Sequence, residues 1–440
     1  MGAQGEDGKG NDQIVRPHAF AYRRVARDGA PSLFCERADL ARLAARHGTP
    51  LYVYSAQTIR TRLQAFKKAF RAIPHTICYS VKANSTLAIL RMVAQQRAGF
   101  DVVSGGELER VRRAAPKSTA KVVFSGVGKT VPEIKLALKS GILLFNVESD
   151  SELHALAATA ERLKKTAPIA LRVNPDVSAK THPYISTGLH QHKFGVPIPE
   201  AHRLYAEAAK YSNLRVAGVS VHIGSQISDF TSFTDSLVRV AELVRELRGA
   251  GHEIQYVDAG GGLGIPYQAT TVPFEEQLAA YATAVIEPLR KLKVHLLLEP
   301  GRSIVGSAGV LLTRVIYRKT NNNKRFVIVD AAMNDLLRPS LYGAYHEIVP
   351  VQLPSPVRET ETTDVVGPIC ETGDFLAHDR QLPLTLEGDL LAILDAGAYG
   401  STLSSNYNTR GRAAEVLVDG ARSSVIRKRE SSRDQMRLER

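Results

Sequence analysis

The chain has 440 residues, of which 44% are hydrophobic and 23% charged, and this length predicts two domains rather than one core. It contains no run of about 18 apolar residues, so no membrane partner is predicted. The net charge of +13 is spread along the chain without interleaved aromatic residues, which excludes a nucleic-acid partner and suits an anionic substrate or cofactor. Cys35, Cys78 and Cys370 are odd in number and far apart, so neither a disulfide framework nor a metal site is predicted.

The beginning of the chain predicts a leader followed by a short structured segment. Residues 1–18 are polar and glycine-rich and lack the hydrophobic stretch of a secretory signal, which predicts a disordered leader and a cytoplasmic location. Short strands are predicted at 20–26 and 32–36, and a helix at 39–46. We expect residues 19–49 to join a β-domain formed later in the chain.

Residues 50–299 alternate between short aliphatic runs and longer amphipathic segments, the pattern of a parallel sheet covered by helices. Eight runs are predicted to be strands, which is the number that closes a (β/α)8 TIM-like barrel within about 250 residues. These runs are residues 75–81, 100–103, 121–124, 142–147, 169–173, 216–222, 254–258 and 294–299.

Polar and ionisable residues cluster at the C-terminal ends of these predicted strands. They are Lys82, Asp101, Ser104, Asn146, Glu148, Arg172, Asn174, His222, Asp258 and Glu299. In a barrel this end is the active-site face. The return of polarity at a strand end explains serine and asparagine well, but it explains lysine, histidine and glutamate less well.

After residue 300 the sequence becomes rich in short β-like runs separated by turns. The runs are residues 310–317, 326–330, 364–369, 390–394 and 414–418. Residues 300–440 therefore predict a second, all-β domain, a sandwich or small barrel. The predicted fold class is α/β plus all-β.

Lys82 lies in YSVKANST, after the apolar run 76–81 and before a helix-like stretch at 86–96. Desolvation at the end of a buried strand lowers the pKa of an amine and frees it as a nucleophile toward an aldehyde. This position therefore suits a lysine that forms a Schiff base.

Three other motifs supply what a pyridine-ring cofactor would need. The glycines of GGGLG, residues 260–264, let backbone N–H groups approach a phosphate. Glu299 of EPGR could keep a ring nitrogen protonated, so that the ring acts as an electron sink. His222 of HIGSQI could stack on the ring, and Ser225 could donate to the phosphate. Together with Lys82, these motifs predict pyridoxal 5'-phosphate.

The chain from about residue 30 to 430 resembles the fold-type III pyridoxal phosphate decarboxylases, and among them the diaminopimelate decarboxylase family. The resemblance rests on the order and spacing of YSVKAN, GFDVVSGGEL, HPYISTG with KFG, HIGSQI, GGGLG, EPGR, RPSLYGAYH, GPICETGD and DAGAYG. Thr372 stands where serine is more usual, and the leader before Phe20 is longer than typical. The resemblance implies an alanine racemase-like fold and a head-to-tail homodimer whose active sites lie at the subunit interface.

The resemblance also implies residue roles. Lys82 would hold the cofactor covalently, Glu299 would pair with the pyridine nitrogen and His222 would stack on the ring. The implied cofactor-binding residues are Lys82, Asp101, His222, Ser225, Gly261, Gly262, Glu299, Gly301, Arg302 and Tyr399. Cys370 and Glu371 would enter from the partner subunit, with Cys370 as the proton donor to the carbon that loses CO2.

For the substrate, the resemblance implies meso-2,6-diaminopimelate, decarboxylated to L-lysine and CO2 in the last step of L-lysine biosynthesis. The implied substrate-binding residues are Arg302, Arg338, Tyr342, Glu371 and Tyr399. An ornithine, arginine or carboxynorspermidine decarboxylase of the same fold is the nearest alternative. A catalytically silent regulator is a second, although such proteins tend to lose the lysine or the cysteine. An alanine racemase-like enzyme is disfavoured, because that family pairs the ring nitrogen with arginine.

Overall fold

The computed structural model describes residues 19–24, 30–177, 193–268 and 272–439. The predicted leader, the end of the predicted strand at 20–26 and the HPYISTG motif at 182–188 lie outside these ranges. No helix in the described ranges is both long enough and apolar enough to cross a membrane.

The N-terminal segment forms a small antiparallel sheet and one helix that pack on the second domain. Its elements are β1 Phe20–Arg23, β2 Ser32–Cys35, β3 Ala38–Asp39, α1 Leu40–His47 and β4 Leu51–Ser55. The side chain of Asp39 accepts a hydrogen bond from Ala41 N and so caps α1. The backbone N–H of Leu33 donates to Val351 O over 2.7 Å, which ties β2 to the second domain.

The barrel consists of eight parallel strands that alternate with helices. Its elements are α2 Ala56–Ala69, β5 His75–Ser80, α3 Leu87–Gln95, β6 Gly99–Val102, α4 Gly105–Ala114, β7 Val122–Phe124, α5 Val131–Ser140, β8 Leu144–Val147, α6 Asp150–Arg162, β9 Ala167–Asn174, β10 Val196–Pro197, α7 Ile198–Ala208, β11 Leu214–Val221, α8 Thr231–Gly249, β12 Tyr256–Asp258, α9 Phe274–Leu289 and β13 His295–Leu298. The barrel closes because β13 pairs with β5 and β8 pairs with β9. All eight predicted strands are confirmed, and the short β10 beside β9 was not predicted.

The helices of the barrel begin and end where local chemistry predicts. Helix α5, for example, begins with a capping box in which Thr130 and Glu133 satisfy each other's backbone N–H groups. It ends at Gly141, whose φ of 60° is the left-handed conformation that glycine adopts at low cost.

A layer of apolar side chains fills the barrel interior below the polar strand ends. Its members come from six strands and are all fully buried: Cys78, Val123, Leu144, Ala170, Ala217 and Leu297. This layer closes the bottom of the barrel. The polar side chains at the strand ends therefore lie above a fully buried apolar layer.

The second domain is built mainly of β-strands. Its elements are α10 Arg302–Val305, β14 Gly309–Asn321, β15 Lys324–Val329, α11 Arg338–Tyr342, β16 Ile348–Pro350, β17 Thr360–Val366, β18 Phe375–Pro383, β19 Leu390–Ile393, β20 Ala414–Asp419, β21 Arg422–Arg427 and α12 Ser432–Met436. The main sheet has the order β18-β17-β15-β14-β4-β20-β21, and β19 pairs with both β14 and β16. All five predicted runs form strands, whereas β16, β18 and β21 were not predicted.

Strand β4 lies inside the second domain's sheet, not in the barrel. It pairs antiparallel with β14 and parallel with β20, and all five of its residues are buried. The expected barrel start at residue 50 is therefore wrong in this detail, because these backbone groups are bonded to the second domain. We propose a barrel that begins with α2 at Ala56.

Candidate active site

A cavity of about 1160 Å³ opens at the C-terminal ends of the barrel strands, under the second domain. This volume exceeds the roughly 300–1,000 Å³ of common ligand pockets, so a cofactor and a substrate have room together. Among the predicted site residues, those that line it are Lys82, His222, Ser225, Glu299, Arg302, Arg338, Tyr342 and Tyr399. The sequence motifs of both domains therefore converge on one cavity.

Lys82 lies in a 3-10 turn, residues Val81–Ala83, directly after β5. Its Nζ donates to Asp101 Oδ2 over 3.1 Å, and the same carboxylate oxygen accepts from Ser80 Oγ over 2.6 Å. Burial lowers the pKa of the Lys82 ammonium, but Asp101, Glu299 and Tyr399 outweigh it and raise the pKa above its ordinary value. The expectation of a lowered pKa is therefore wrong for the free chain, because a buried carboxylate lies within hydrogen-bonding distance of the amine.

Glu299 lies among buried polar groups at the end of β13. Its Oε1 accepts from Ser125 Oγ over 3.1 Å, and Asn146 Nδ2 donates to both Ser125 Oγ (3.0 Å) and Asp258 Oδ2 (2.6 Å). Burial raises the pKa of Glu299 well above its usual range, and the Asp101 and Asp258 carboxylates raise it further. A cation placed beside Glu299 would relieve this repulsion.

His222 is a partly buried, neutral imidazole that lines the cavity. The backbone N–H of Gly261 donates to its Nδ1 over 3.1 Å, so the ring proton is on Nε2. Burial lowers the pKa of His222 well below its ordinary value, and the charges of Arg172 and Lys82 lower it further. A neutral ring in this position is suited to stacking on a flat aromatic ligand.

The predicted glycines permit close approaches of the backbone to neighbouring atoms. A Cβ at Gly261 would collide with the carbonyl oxygen of Glu299, and one at Gly301 would lie 2.9 Å from Ala83 Cβ. Gly262 has a φ of 112°, which L side chains rarely adopt. Neither these glycines nor Asp101 is among the described residues that line the cavity.

Two arginines occupy the side of the cavity that the second domain covers. Arg302 donates to Tyr267 Oη over 2.6 Å and to Ser225 Oγ over 3.2 Å. The guanidinium of Arg338 lies 4.5 Å from the centre of the Tyr267 ring, so Tyr267 contacts both cations. Both arginines are buried, and burial makes each of them a strong binding point for an anion.

Tyr399 has a backbone conformation that is unusual for a tyrosine. Its φ is 56°, an uncommon conformation for a bulky residue, and it is held there by a hydrogen bond from its N–H to Ala83 O over 2.9 Å. The centre of its ring is 4.8 Å from the Arg302 guanidinium. Tyr342, at the end of α11, lines the same side of the cavity.

Cys370 and Glu371 are not among the described residues that line this cavity. Both are exposed on the second domain. The backbone N–H of Cys370 donates to Asn408 Oδ1 over 2.7 Å, and Tyr407 Oη donates to Glu371 over 3.1 Å. The structure therefore holds this pair in a defined position without bringing it to the chain's own Lys82.

Several residues at this cavity were not predicted. Tyr267 and Ser125 line it, and His346 contacts Arg338 from behind it. Arg172, predicted at the active-site face, also lines the cavity, whereas no local pattern assigned a contact to His346, although its motif was noted in the sequence. Tyr267 follows the GGGLG motif by three residues, which was the available signal.

Comparison with known proteins assigns the family. Residues 56–306 match the model of the pyridoxal-dependent decarboxylase, pyridoxal binding domain. Diaminopimelate decarboxylase of Pseudomonas aeruginosa is 52% identical over 94% of this chain and 96% of that protein, and the Neisseria meningitidis serogroup B enzyme is 50% identical over 92% and 96%. The chain belongs to the diaminopimelate decarboxylase family. A solved member of this family, from Helicobacter pylori and complexed with L-lysine, has a TM-score of 0.87 and 42% identity, with 91% of this chain and 99% of that one covered.

The cofactor of the diaminopimelate decarboxylase family, pyridoxal 5'-phosphate, fits the residues found in this cavity. An amine, a buried carboxyl group of raised pKa, a neutral imidazole and a serine hydroxyl all reach it, from Lys82, Glu299, His222 and Ser225. Asp101 Oδ1 and Arg302 Nε are buried without a hydrogen-bond partner among the described residues. Such unsatisfied groups are costly unless a ligand or water completes them.

Proposed function

We propose that this chain converts meso-2,6-diaminopimelate to L-lysine and CO2 with pyridoxal 5'-phosphate, as the last step of L-lysine biosynthesis. The observation that carries the proposal is that Lys82 and the two arginines line one cavity. The lysine suits the aldehyde of the cofactor, and the arginines suit a second carboxylate of the substrate. The H. pylori relative was solved with L-lysine, which retains such a carboxylate.

The cofactor's place follows from the residues that would hold it. Lys82 would bind it covalently, Glu299 would face the ring nitrogen and His222 would pack on the ring. Ser225 and the backbone of Gly261, Gly262, Gly301 and Arg302 would take the phosphate, with the hydroxyl of Tyr399. When bound, the cofactor supplies the electron sink that accepts the pair from the breaking bond between Cα and the carboxylate.

The chain's own groups would orient the substrate and manage its protons. Asp101, hydrogen-bonded to the Lys82 amine, would hold that amine in place and keep its charge compensated before the cofactor binds. Glu299 would keep the ring nitrogen positively charged, because two neighbouring carboxylates already favour a cation there. The Cys370 thiol would then donate its proton to the carbon that has lost CO2.

Substrate choice would depend on the distal end. Arg302, Arg338 and Tyr342 would bind the distal carboxylate, Glu371 the distal amine, and Tyr399 would contact the substrate beside Arg302. A charge-assisted hydrogen bond contributes about 1.5–3 kcal/mol, and a buried arginine left unpaired costs a comparable amount. Ornithine and arginine lack the second carboxylate and would leave these arginines unpaired.

The assembly we propose is a homodimer with shared active sites. Cys370 and Glu371 are exposed and do not line the cavity of their own chain, so a partner subunit would have to supply them. Leu341 and Tyr407, near the substrate-binding residues in sequence, are exposed large hydrophobic residues. A cytoplasmic location remains a prediction from the sequence.

The test is CO2 release and L-lysine formation by the purified, cofactor-loaded protein, with meso-2,6-diaminopimelate and ornithine offered in parallel. We expect turnover of the first alone. Turnover of ornithine alone would overturn the roles given to Arg302, Arg338 and Tyr342 and leave the cofactor assignment standing. Silence toward both would support the regulator alternative.

A further inference from the structure

A histidine outside the catalytic set contacts one of the two arginines. His346 is fully buried, and its Nε2 lies 2.6 Å from Nη1 of Arg338. Its other ring nitrogen, Nδ1, lies 2.8 Å from the carbonyl oxygen of Leu394. The imidazole thus bridges the cavity's arginine to the backbone at the end of β19.

The two partners determine the protonation state of this ring. A guanidinium can only donate hydrogen bonds, so Nε2 of His346 must be the acceptor. A backbone carbonyl can only accept, so Nδ1 must carry the ring's single proton. Burial and, after it, the charge of Arg338 lower the pKa of His346 to about 3, which agrees with a neutral ring at physiological pH.

Tyr267 supports the same pair from a second direction. Its ring meets that of His346 edge to face at 5.1 Å between centroids, and its face lies 4.5 Å from the Arg338 guanidinium. Arg302 donates to the Tyr267 hydroxyl over 2.6 Å. The position of Arg338 is therefore set by one hydrogen bond and one ring contact, both from residues that are themselves held in place.

We propose that His346 is a positioning residue for substrate selection: it holds the Arg338 guanidinium in the orientation that binds the distal carboxylate. This inference rests on the proposed function. The contact with His346 uses one of the five N–H donors of the guanidinium and leaves others for the ligand.

The choice of a neutral partner has a physical reason. An aspartate or glutamate at this position would hold the arginine equally well, but it would also neutralise it and compete with the substrate's carboxylate. A neutral imidazole acceptor orients Arg338 without cancelling its charge. Fixed orientation of a charged donor is worth most in a buried site, where misplacement by about 1 Å can cost on the order of 10²-fold in rate.

The experiment compares H346N with H346Q. The side-chain amide of asparagine reaches about as far as Nδ1, so H346N keeps a donor for Leu394 and loses the acceptor for Arg338. The longer glutamine reaches about as far as Nε2 and retains that acceptor. His295, which pairs with Thr76 at the opposite end of the barrel, supplies the control variant H295Q.

The readouts are the KM for meso-2,6-diaminopimelate and the inhibition constants of L-lysine and of cadaverine, which is L-lysine without its carboxylate. For H346N we expect the KM and the L-lysine constant to rise about tenfold to 100-fold, with the cadaverine constant and the visible absorbance of the bound cofactor unchanged. H346Q and H295Q should stay close to the wild type.

Two results would overturn this inference and leave the proposed function standing. One is an H346N variant that binds L-lysine as the wild type does, and the other is equal weakening of L-lysine and cadaverine, which would indicate general damage to the cavity. A wild-type protein that does not distinguish L-lysine from cadaverine would instead overturn the proposed role of Arg338 and this inference with it.

Discussion

The two ends of the cavity carry opposite charge. At the barrel end, the carboxyl groups of Asp101, Asp258 and Glu299 lie around Lys82, and Arg172, near the C-terminal end of β9, is paired with Glu148. At the end covered by the second domain, Arg302 and Arg338 both lie near the electron-rich ring of Tyr267. The barrel end therefore favours positively charged ligand groups, and the other end favours anions.

This difference explains how one cavity can distinguish two similar ends of a substrate. Diaminopimelate carries an amino group and a carboxylate at each end, so shape alone gives little discrimination. We propose that the carboxylate to be lost lies at the acidic end, where Arg172 is already paired with Glu148, and that the carboxylate to be kept lies near Arg338. In this proposal, charge asymmetry would orient the substrate before any bond is broken.

The largest effect is expected from Lys82→Ala, which removes the lysine that lines the cavity in the described ranges and that we propose binds the aldehyde. Decarboxylation should fall by at least about 10³-fold, because the covalent step is lost. The assay is L-lysine formation with the visible absorbance of the bound cofactor measured alongside. The control is Lys135→Ala, an exposed lysine of α5.

The same variant tests the shared active site. Mixing inactive Lys82→Ala protein with inactive Cys370→Ala protein should restore part of the activity, since a mixed dimer would contain one intact site. A mixture that stays inactive while mixed dimers are present would contradict the proposed contribution of Cys370 from a partner subunit.

Arg338→Ala removes a cation from the opposite end and should leave the acidic end intact. We expect kcat/KM for meso-2,6-diaminopimelate to fall about 10²- to 10⁴-fold, because a polar substrate group loses its buried partner. Steady-state kinetics measures the change, and Arg290→Ala, at an exposed arginine paired with Glu287, is the control. Loss of the bound cofactor's visible absorbance in Arg338→Ala would contradict a role confined to the substrate.

Glu299→Gln removes a negative charge from the barrel end of the cavity with almost no change in side-chain shape. The amide oxygen can still accept from Ser125, but the negative charge beside the ring nitrogen is gone. The turnover number should fall about 10²-fold. Glu276 also lines the cavity but is exposed, so Glu276→Gln should have little effect, and equal losses in both variants would argue against a special role for Glu299.

The smallest effect is expected on the free energy of unfolding and comes from Glu107, near Asp101 at the acidic end. Burial raises the pKa of Glu107 from 4.5 to about 7, and Asp101 contributes to the rise. A carboxyl group whose folded pKa is raised destabilises the fold as it ionises, so the free energy of unfolding of the cofactor-free chain should fall as pH rises from 4.5 to about 7. Urea unfolding across this range should show a weaker pH dependence in Glu107→Gln, and an unchanged slope would exclude Glu107 as its source.

Much of the acidic end could be predicted from the sequence. Lys82, His222 and Glu299 each end a short apolar run, and the carboxyl ends of barrel strands converge by geometry. What could not be predicted was whether burial or the neighbouring carboxylates would dominate the pKa of Lys82. The raised pKa of Lys82 depends on a 3.1 Å contact with Asp101, and two residues 19 apart in sequence show no such distance in their pattern.

The arginine end depends on how the second domain packs on the barrel. His346 meets Arg338 in a loop after α11, and Tyr267 approaches both from the barrel. No periodicity encodes contacts between loops of different domains. The assignment of β4 to the barrel failed for a related reason, since LYVYS is a short buried run whose partner strands are distant in sequence.

The position of β4 also determines the order in which this protein can assemble during synthesis. Residues 51–55 leave the ribosome early, yet the strands on both sides of them, residues 309–321 and 414–419, are made only after the whole barrel. Until then β4 is an unpaired, hydrophobic strand of the kind that promotes aggregation. The barrel is therefore made between β4 and the strands that pair with β4. The sheet of the second domain is complete only when β14 and β20 have been synthesised.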